Sequence, residues 1–157
     1  MAELFIRKSI EVNAPAEALW RVLTDNEFTP LYMFGCVAET DWKPGSPLEW
    51  KGAADGKLYV KGHVVAVDEP RRLEYTVIDP NNPAVPAIPA NYLTMIYEIR
   101  QHGEGSVFEL IQGDYSKVAE GHKRYEDTLK GDDFILVKIK ELAEGIRVAA
   151  MDASNAS

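Results

Sequence analysis

The sequence predicts an α+β fold, in which one antiparallel sheet curls and lays its apolar face against a C-terminal helix. Short strand-like segments separated by turns fill the middle of the chain, and helical periodicity occurs on either side of them. A meander between two helical blocks cannot form parallel crossovers, which excludes an α/β sheet. The length of 157 residues suits one domain with a complete core.

The N-terminal part contains a predicted strand and two short predicted helices. Residues 4–12 alternate loosely and place Ile6, Lys8, Ile10 and Val12 on one side, which predicts a strand. Residues 13–17 begin a helix that has Pro15 in its first turn. Residues 28–34 predict a second short helix or turn, broken at Pro30.

The middle of the chain predicts an antiparallel meander. The sequence Lys43-Pro44-Gly45-Ser46-Pro47 is a strong hairpin signal, and other turns occur at similar intervals. The strands predicted between these turns are residues 36–42, 48–52, 57–68, 73–78, 92–100 and 106–112.

From Lys117 the apolar period changes to that of a long C-terminal helix, which Gly131 kinks or divides. Its apolar stripe consists of Tyr125, Leu129, Leu136, Ile139 and Ala143. The pattern ends after Gly145. We therefore expect a single domain over residues 1–145 and a poorly ordered tail over residues 146–157.

Composition excludes several classes of function. The net charge of −8, from 25 acidic and 17 basic residues, repels phosphate backbones and anionic lipids, so we expect no nucleic-acid partner. The single Cys36 and three histidines cannot form a Cys/His zinc site, and we expect no metal and no cofactor. We expect no signal peptide at the N-terminus, because residues 1–8 have no long apolar core, and no segment reaches the ~18 apolar residues of a membrane span. We expect a cytoplasmic protein.

Three motifs follow one another in a recognisable order. They are the helix opening at residues 14–25, the Pro-Gly hairpin between Trp42 and Trp50, and the Gly-x-Val strand with its Pro-Arg-x-Leu turn at residues 62–76. In this order they resemble the START/birch-pollen-allergen-like superfamily, and within it the homologues of the activator of the heat-shock protein 90 ATPase (C-terminal domain). The chain departs from that pattern in a longer proline-rich loop and in Tyr125, where many relatives carry tryptophan.

The resemblance implies a helix-grip fold: a strongly curved antiparallel sheet wrapped around a long C-terminal helix and enclosing an apolar cavity, with two short helices after the first strand. Relatives bind hydrophobic small molecules, some cyclise polyketides, and the eukaryotic namesakes act on a chaperone. The leading hypothesis is therefore binding of a lipid, polyketide or flavonoid-like molecule. The alternatives are a polyketide cyclase-like enzyme and a co-chaperone-like interaction module, with a protein partner or a homodimer.

Apolar and aromatic side chains are the candidates for the cavity lining. Strand alternation points one set inward, opposite a set on the C-terminal helix. The alternative is that these residues fill a solid core. The strand set is Trp50, Tyr75, Met95, Tyr97, Phe108 and Leu110, and the helix set is Tyr125, Leu129, Asp132 and Leu136.

Two polar residues are candidates for chemistry, although we identify no clear catalytic set. His63 lies in the middle of a strand; it is either a general base with a positioned partner or a solvated histidine. Asp132 faces the cavity if the last helix is continuous, and burial would then raise its pKa. If the helix breaks at Gly131, an aspartate there caps the next helical segment instead.

The segment 79–90 has prolines at 80, 83, 86 and 89, a spacing that matches the polyproline II turn. It is either a stiff surface loop or a semi-rigid flap over a ligand entrance or dimer contact. In the co-chaperone alternative, this loop and the acidic outer surface bind the partner.

Overall fold

The computed structural model describes residues 3–131 and 133–155. These ranges contain one sheet, four α-helices and two short 3-10 helices. The strands and α-helices, in chain order, are β1 (Ile6–Val12), α1 (Ala16–Thr24), α2 (Thr29–Tyr32), β2 (Cys36–Glu39), β3 (Pro47–Gly52), β4 (Leu58–Asp68), β5 (Arg72–Val77), β6 (Leu93–His102), β7 (Gly105–Gly113), α3 (Gly121–Lys130) and α4 (Phe134–Asn155).

The strands form one antiparallel sheet in the order β1-β7-β6-β5-β4-β3-β2. Consecutive strands from β2 to β7 are neighbours, and β1 pairs with β7, where Ile10 lies opposite Phe108. Register shifts after Trp50 and after Val64 bend the sheet around its inner face, because an irregular pair increases local twist and curvature. The predicted α+β class and helix-grip architecture are confirmed.

Gly62 allows β4 and β5 to approach closely. A Cβ atom at this position would lie 1.8 Å from the carbonyl oxygen of Thr76, a backbone atom that cannot move aside. The sharp approach of the two strands therefore requires glycine.

The first two helices cover part of the inner face of the sheet. Pro15 is the N-cap of α1, and the helix buries Leu19, Val22 and Leu23. The sequence predicts that Pro30 breaks this helix. In the structure Pro30 instead lies in the first turn of α2. The first turn tolerates proline because its backbone N–H has no helical partner.

The C-terminal helical region is divided at Gly131, as predicted. Gly131 is extended, with φ −71° and ψ 166°, and α4 begins three residues later at Phe134. Leu136, Ile139 and Ala143 of α4 are buried against the core. The helix continues to Asn155, past the position near Gly145 where we expected it to end. The proposed division into a domain and a tail stays a prediction.

The main core lies between the inner face of the sheet and the helices α1 and α4. Trp50, Tyr75, Tyr97 and Phe108 are among its largest fully buried side chains. A smaller cluster around Ile6, Leu93 and Tyr115 lies beneath α3. In the described part of the chain, every helix is too short or too polar to cross a membrane.

Candidate functional site

A cavity of about 300 Å³ lies between the inner face of the sheet and the first turns of α4. The residues that form its sheet wall share the inward side of four neighbouring strands, as the registers of β5 with β6 and β6 with β7 show. They are Val60, Tyr75, Val77, Met95, Tyr97 and Leu110. Phe134, Ile135 and Leu136 of α4 close the opposite side.

A row of aromatic rings runs across the sheet behind and beside this cavity. The ring centroids of Trp50 and Tyr75 are 6.2 Å apart, those of Tyr75 and Tyr97 are 5.8 Å apart, and those of Tyr97 and Phe108 are 5.5 Å apart. Trp42 extends the row and contacts both Trp50 and Tyr75 edge-on. These contacts hold the rings in fixed orientations, which makes the sheet side of the cavity rigid.

Tyr75 and Tyr97 bring two hydroxyl groups together inside the molecule. Their oxygens are 3.0 Å apart, and both side chains are buried. Burial raises the pKa of Tyr75 well above its usual value and the pKa of Tyr97 to about 12. Both phenols therefore stay protonated at neutral pH and act as hydrogen-bond donors rather than as bases.

The mouth of the cavity is polar. Lys8 of β1 forms an ion pair with Asp133, the residue before α4, and both side chains are partly exposed. Gln112 and Thr128 also line this end. The buried tyrosine pair and the charged pair thus belong to different parts of the cavity, one inside and one at the solvent boundary.

Two phenylalanines stack beside the mouth. The rings of Phe34 and Phe134 are 5.4 Å apart and nearly parallel, and both residues line the cavity. Phe34 is 73% exposed and Phe134 is 43% exposed. A stacked apolar pair this open to solvent is uncommon and marks a candidate contact surface.

The structure brings together half of the predicted lining residues. Tyr75, Met95, Tyr97, Leu110 and Leu136 line the cavity. Trp50 and Phe108 share the inward face but are buried in the core next to the cavity, outside its lining.

The predicted residues of α3 do not line the cavity. Tyr125 packs edge-on against Tyr115 in the smaller cluster, and Leu129 is 49% exposed. The reason is the break at Gly131: the apolar stripe of α3 does not continue into α4, so periodicity counted through the break assigns the wrong face. Thr128 lines the cavity in place of Leu129. Asp132 lies outside the described residues.

His63 is on the outer face of the sheet. It is exposed, and its Nδ1 lies 3.1 Å from the hydroxyl of Thr76 on the neighbouring strand. Its neighbour Val64 points inward and is fully buried, and His63 is not among the residues that line the cavity. Burial raises the pKa of the Cys36 thiol, which disfavours the nucleophilic thiolate form.

The proline-rich segment runs over the surface. Val85 is its buried anchor, and Asn91 fastens the segment by donating to the carbonyl oxygen of Pro86 at 2.9 Å. Asn91 also accepts a hydrogen bond from the backbone of Ala119 at 2.9 Å. None of the residues 79–90 lines the cavity, so the segment is a tethered surface loop and does not form a flap there.

Several lining residues were missed by sequence reasoning. Val60 and Val77 share the alternation that identified Tyr75, and Lys8 shares the side of β1 that includes Ile10, so a signal was present for these three. Phe34 has no periodic signal, since it lies in a turn with φ +52° after α2.

A larger depression of about 700 Å³ lies outside, between α1 and the C-terminal half of α4. The outer depression is more open to solvent than the inner cavity, and its border includes Glu17, Arg21 and Arg147, whereas side chains on the strands of the sheet form one wall of the inner cavity. The inner cavity is therefore the better candidate for a small-molecule site.

Among the described residues, no three His, Cys, Asp or Glu side chains lie close enough to hold a metal ion.

The sequence matches a known family model, described as activator of Hsp90 ATPase homolog 1-like protein, over residues 13–144. A search of curated proteins gives no match. Among solved structures, the chain is similar to ChR145 from Cytophaga hutchinsonii, with 30% sequence identity, a TM-score of 0.70, and coverage of 94% of this chain and 99% of that chain.

Two more distant structures share the fold. An HSP90 activator from Plasmodium falciparum is 15% identical, with a TM-score of 0.63 and coverage of 88% of this chain and 95% of that chain. DynU16, encoded in the dynemicin biosynthetic locus, is 13% identical, with a TM-score of 0.64 and coverage of 91% of this chain and 48% of that chain.

Proposed function

The chain belongs to the family of activator of Hsp90 ATPase homolog 1-like proteins, and from this and its inner cavity we propose that it binds a hydrophobic small molecule. The observation that carries the proposal is the cavity of about 300 Å³ between the sheet and α4, with mostly apolar walls and one buried hydroxyl pair. Ligand sites commonly combine apolar walls with a small number of fixed polar groups.

Burial of apolar surface supplies most of the affinity in this proposal. A ligand that buries about 200 Å² of apolar surface gains about 5 kcal/mol at about 25 cal/mol per Å², before the cost of association is subtracted. Because the aromatic row already fixes the sheet wall, little ordering of side chains opposes binding.

Thermal unfolding with a panel of fatty acids, flavonoids and aromatic ketones tests the proposal. A ligand present at about 100 times its Kd is expected to raise the Tm by about 5–10 °C, because it binds the native state alone. Met95→Trp, which puts a larger side chain into the cavity, should abolish the shift. Val65→Trp, an exposed position on the same sheet, is the matched control and should keep it. Equal shifts in both variants would refute an internal site.

The exposed apolar surface beside the mouth favours a second candidate, action on an Hsp90-type ATPase. Phe34 and Phe134 stack there in the open, and Leu31 and Val137, which are 49% and 42% exposed, lie on the adjoining helices. Large exposed apolar residues in a group are typical of protein contacts. The family is that of activator of Hsp90 ATPase homolog 1-like proteins, and the structural neighbour from Plasmodium falciparum is an HSP90 activator.

Steady-state ATP hydrolysis by a purified Hsp90 tests this candidate. The full chain should increase the rate, and Phe34→Ser should reduce the increase, whereas Val65→Ser on the outer face of the sheet should not. No increase at saturating protein would reject the candidate.

We also propose a cytoplasmic location, which is consistent with the single unpaired Cys36.

A further inference from the structure

The hydrogen-bonding capacity of the Tyr75–Tyr97 pair is not used up. Two phenol groups carry two O–H donors, and the bond between their oxygens, at 3.0 Å, uses one of them. Among the residues that the structure describes, no other acceptor reaches either hydroxyl. Tyr75 and Tyr97 both line the cavity, so the remaining O–H donor belongs to a residue of the cavity wall.

An available donor in this position favours a particular ligand group. Leaving a buried O–H without an acceptor costs free energy that a ligand oxygen recovers. Tyr75 and Tyr97 are only 1% and 2% exposed, so bulk water has little access to their hydroxyls even before a ligand binds. An acceptor oxygen on that ligand restores the missing hydrogen bond.

The charges near the cavity disfavour an ionised ligand at this end. The cation on the lining, Lys8, lies at the mouth and already pairs with Asp133. A carboxylate beside the tyrosine pair would lose its hydration without gaining a counter-ion, which is costly. A neutral oxygen does not bear this cost.

We propose, on the basis of the proposed function, that the cavity selects apolar ligands that carry a neutral acceptor oxygen, such as a ketone. In this proposal the Tyr75–Tyr97 hydroxyl pair binds that oxygen. The pair is a specificity-determining element rather than a catalytic one. Hydrogen-bond readout of this kind discriminates between ligands of equal shape, which the apolar walls cannot do.

Three probes of similar shape test the selection: methyl naphthyl ketone, isopropenylnaphthalene and naphthoic acid. Calorimetric titration of the full chain should give about three- to tenfold tighter binding for the ketone than for the alkene, the range of one net hydrogen bond. The acid at neutral pH should bind at least tenfold more weakly than the ketone. In the double variant Tyr75→Phe, Tyr97→Phe, the ketone should lose its advantage while the alkene still binds.

Tyr32→Phe is the matched control. The Tyr32 hydroxyl is also buried, but it donates to the carbonyl oxygen of Leu23 at 2.8 Å, and the residue does not line the cavity. This variant should keep the preference for the ketone. As a measurement that needs no variant, the infrared carbonyl band of the bound ketone should lie at lower frequency than in an alkane solvent.

The possible outcomes distinguish ligand selection by the tyrosine pair from the proposed binding of a hydrophobic small molecule. Equal affinity for ketone and alkene, or an unshifted carbonyl band, would overturn the selection by the tyrosine pair and leave small-molecule binding intact. Tightest binding of the acid would also overturn it, in favour of a site at Lys8. Binding of none of the three probes would overturn both the inference and the proposed function for aromatic ligands.

Discussion

Three buried tyrosine hydroxyls show how one residue type takes different roles in this core. Tyr32 donates to the main chain of α1, at the carbonyl oxygen of Leu23, and so ties α2 to the helix before it. Tyr75 and Tyr97 instead bond to each other across β5 and β6, on the wall of the cavity. The first role is structural, and the second leaves a donor for a ligand.

The burial of these tyrosines predicts a loss of stability in alkali. Burial raises the pKa values of Tyr32 and Tyr75 well above the usual value and that of Tyr97 to about 12. Above about pH 10 the unfolded chain releases protons that the native state retains, so the free energy of unfolding falls. Each such tyrosine contributes about 1.4 kcal/mol per pH unit until the pH reaches its folded pKa.

Urea unfolding between about pH 8 and 11 measures this effect. The free energy of unfolding should be flat with respect to these tyrosines below about pH 9 and should fall above about pH 10. The fall should be shallower in Tyr97→Phe than in the wild type. An equally steep fall in the variant would show that Tyr97 ionises in the native state as readily as in the unfolded chain.

At the scale of elements, the break at Gly131 determines which helical residues reach the cavity. Because the chain is extended at Gly131, α3 and α4 have independent orientations. Leu136 of α4 is 5% exposed and lines the cavity, whereas Leu129 of α3 is 49% exposed. A single apolar stripe drawn through both helices joins two faces that the fold separates.

Paired leucine truncations test this assignment. Leu136→Ala should destabilise the protein by about 2–3 kcal/mol, at the low end for a buried leucine because its site borders a cavity. Leu129→Ala should change stability by less than about 0.5 kcal/mol, as is usual at exposed positions. Similar losses in the two variants, measured by chemical denaturation, would mean that α3 packs inward as the sequence alone suggested.

A second pair of substitutions tests the close approach of β4 and β5. Gly62→Ala puts a Cβ 1.8 Å from the carbonyl oxygen of Thr76, so the strands must separate, and we expect a loss of about 3 kcal/mol or more. Gly145→Ala in α4 meets nothing within 4 Å and should stabilise the helix by about 0.5–1 kcal/mol. A tolerated alanine at 62 would contradict the strand geometry.

The sequence predicts a strand, turn or helix well when the signal for that element lies within the element itself. The hairpin at Pro44-Gly45 and the alternation of Leu73, Tyr75 and Val77 are local signals, and each predicted its turn or strand closely. The continuation of α4 beyond Gly145 had no periodic signal to predict it. The position of Phe34 depends on its stacking with Phe134, a contact between distant segments that no local pattern encodes.

At the scale of the whole molecule, the cavity results from incomplete closure of the sheet on α4. The aromatic row from Trp42 to Phe108 fills one part of the inner face with large rings, and α1 and α4 cover that part. Near the first turn of α4, the smaller side chains Val60, Val77 and Leu110 leave space. Residue types predicted which side chains point inward, but whether they meet or leave a gap depends on packing at ångström scale.

The most direct test of the account is the location of a bound molecule. Intermolecular nuclear Overhauser contacts should be measured between methyl naphthyl ketone and the methyl-labelled full chain. We predict contacts to Met95, Leu110 and Leu136, which surround the Tyr75–Tyr97 pair on the cavity wall. Contacts to Ile146 in the outer depression instead, or saturable binding without any contact to the three cavity methyls, would contradict an internal site.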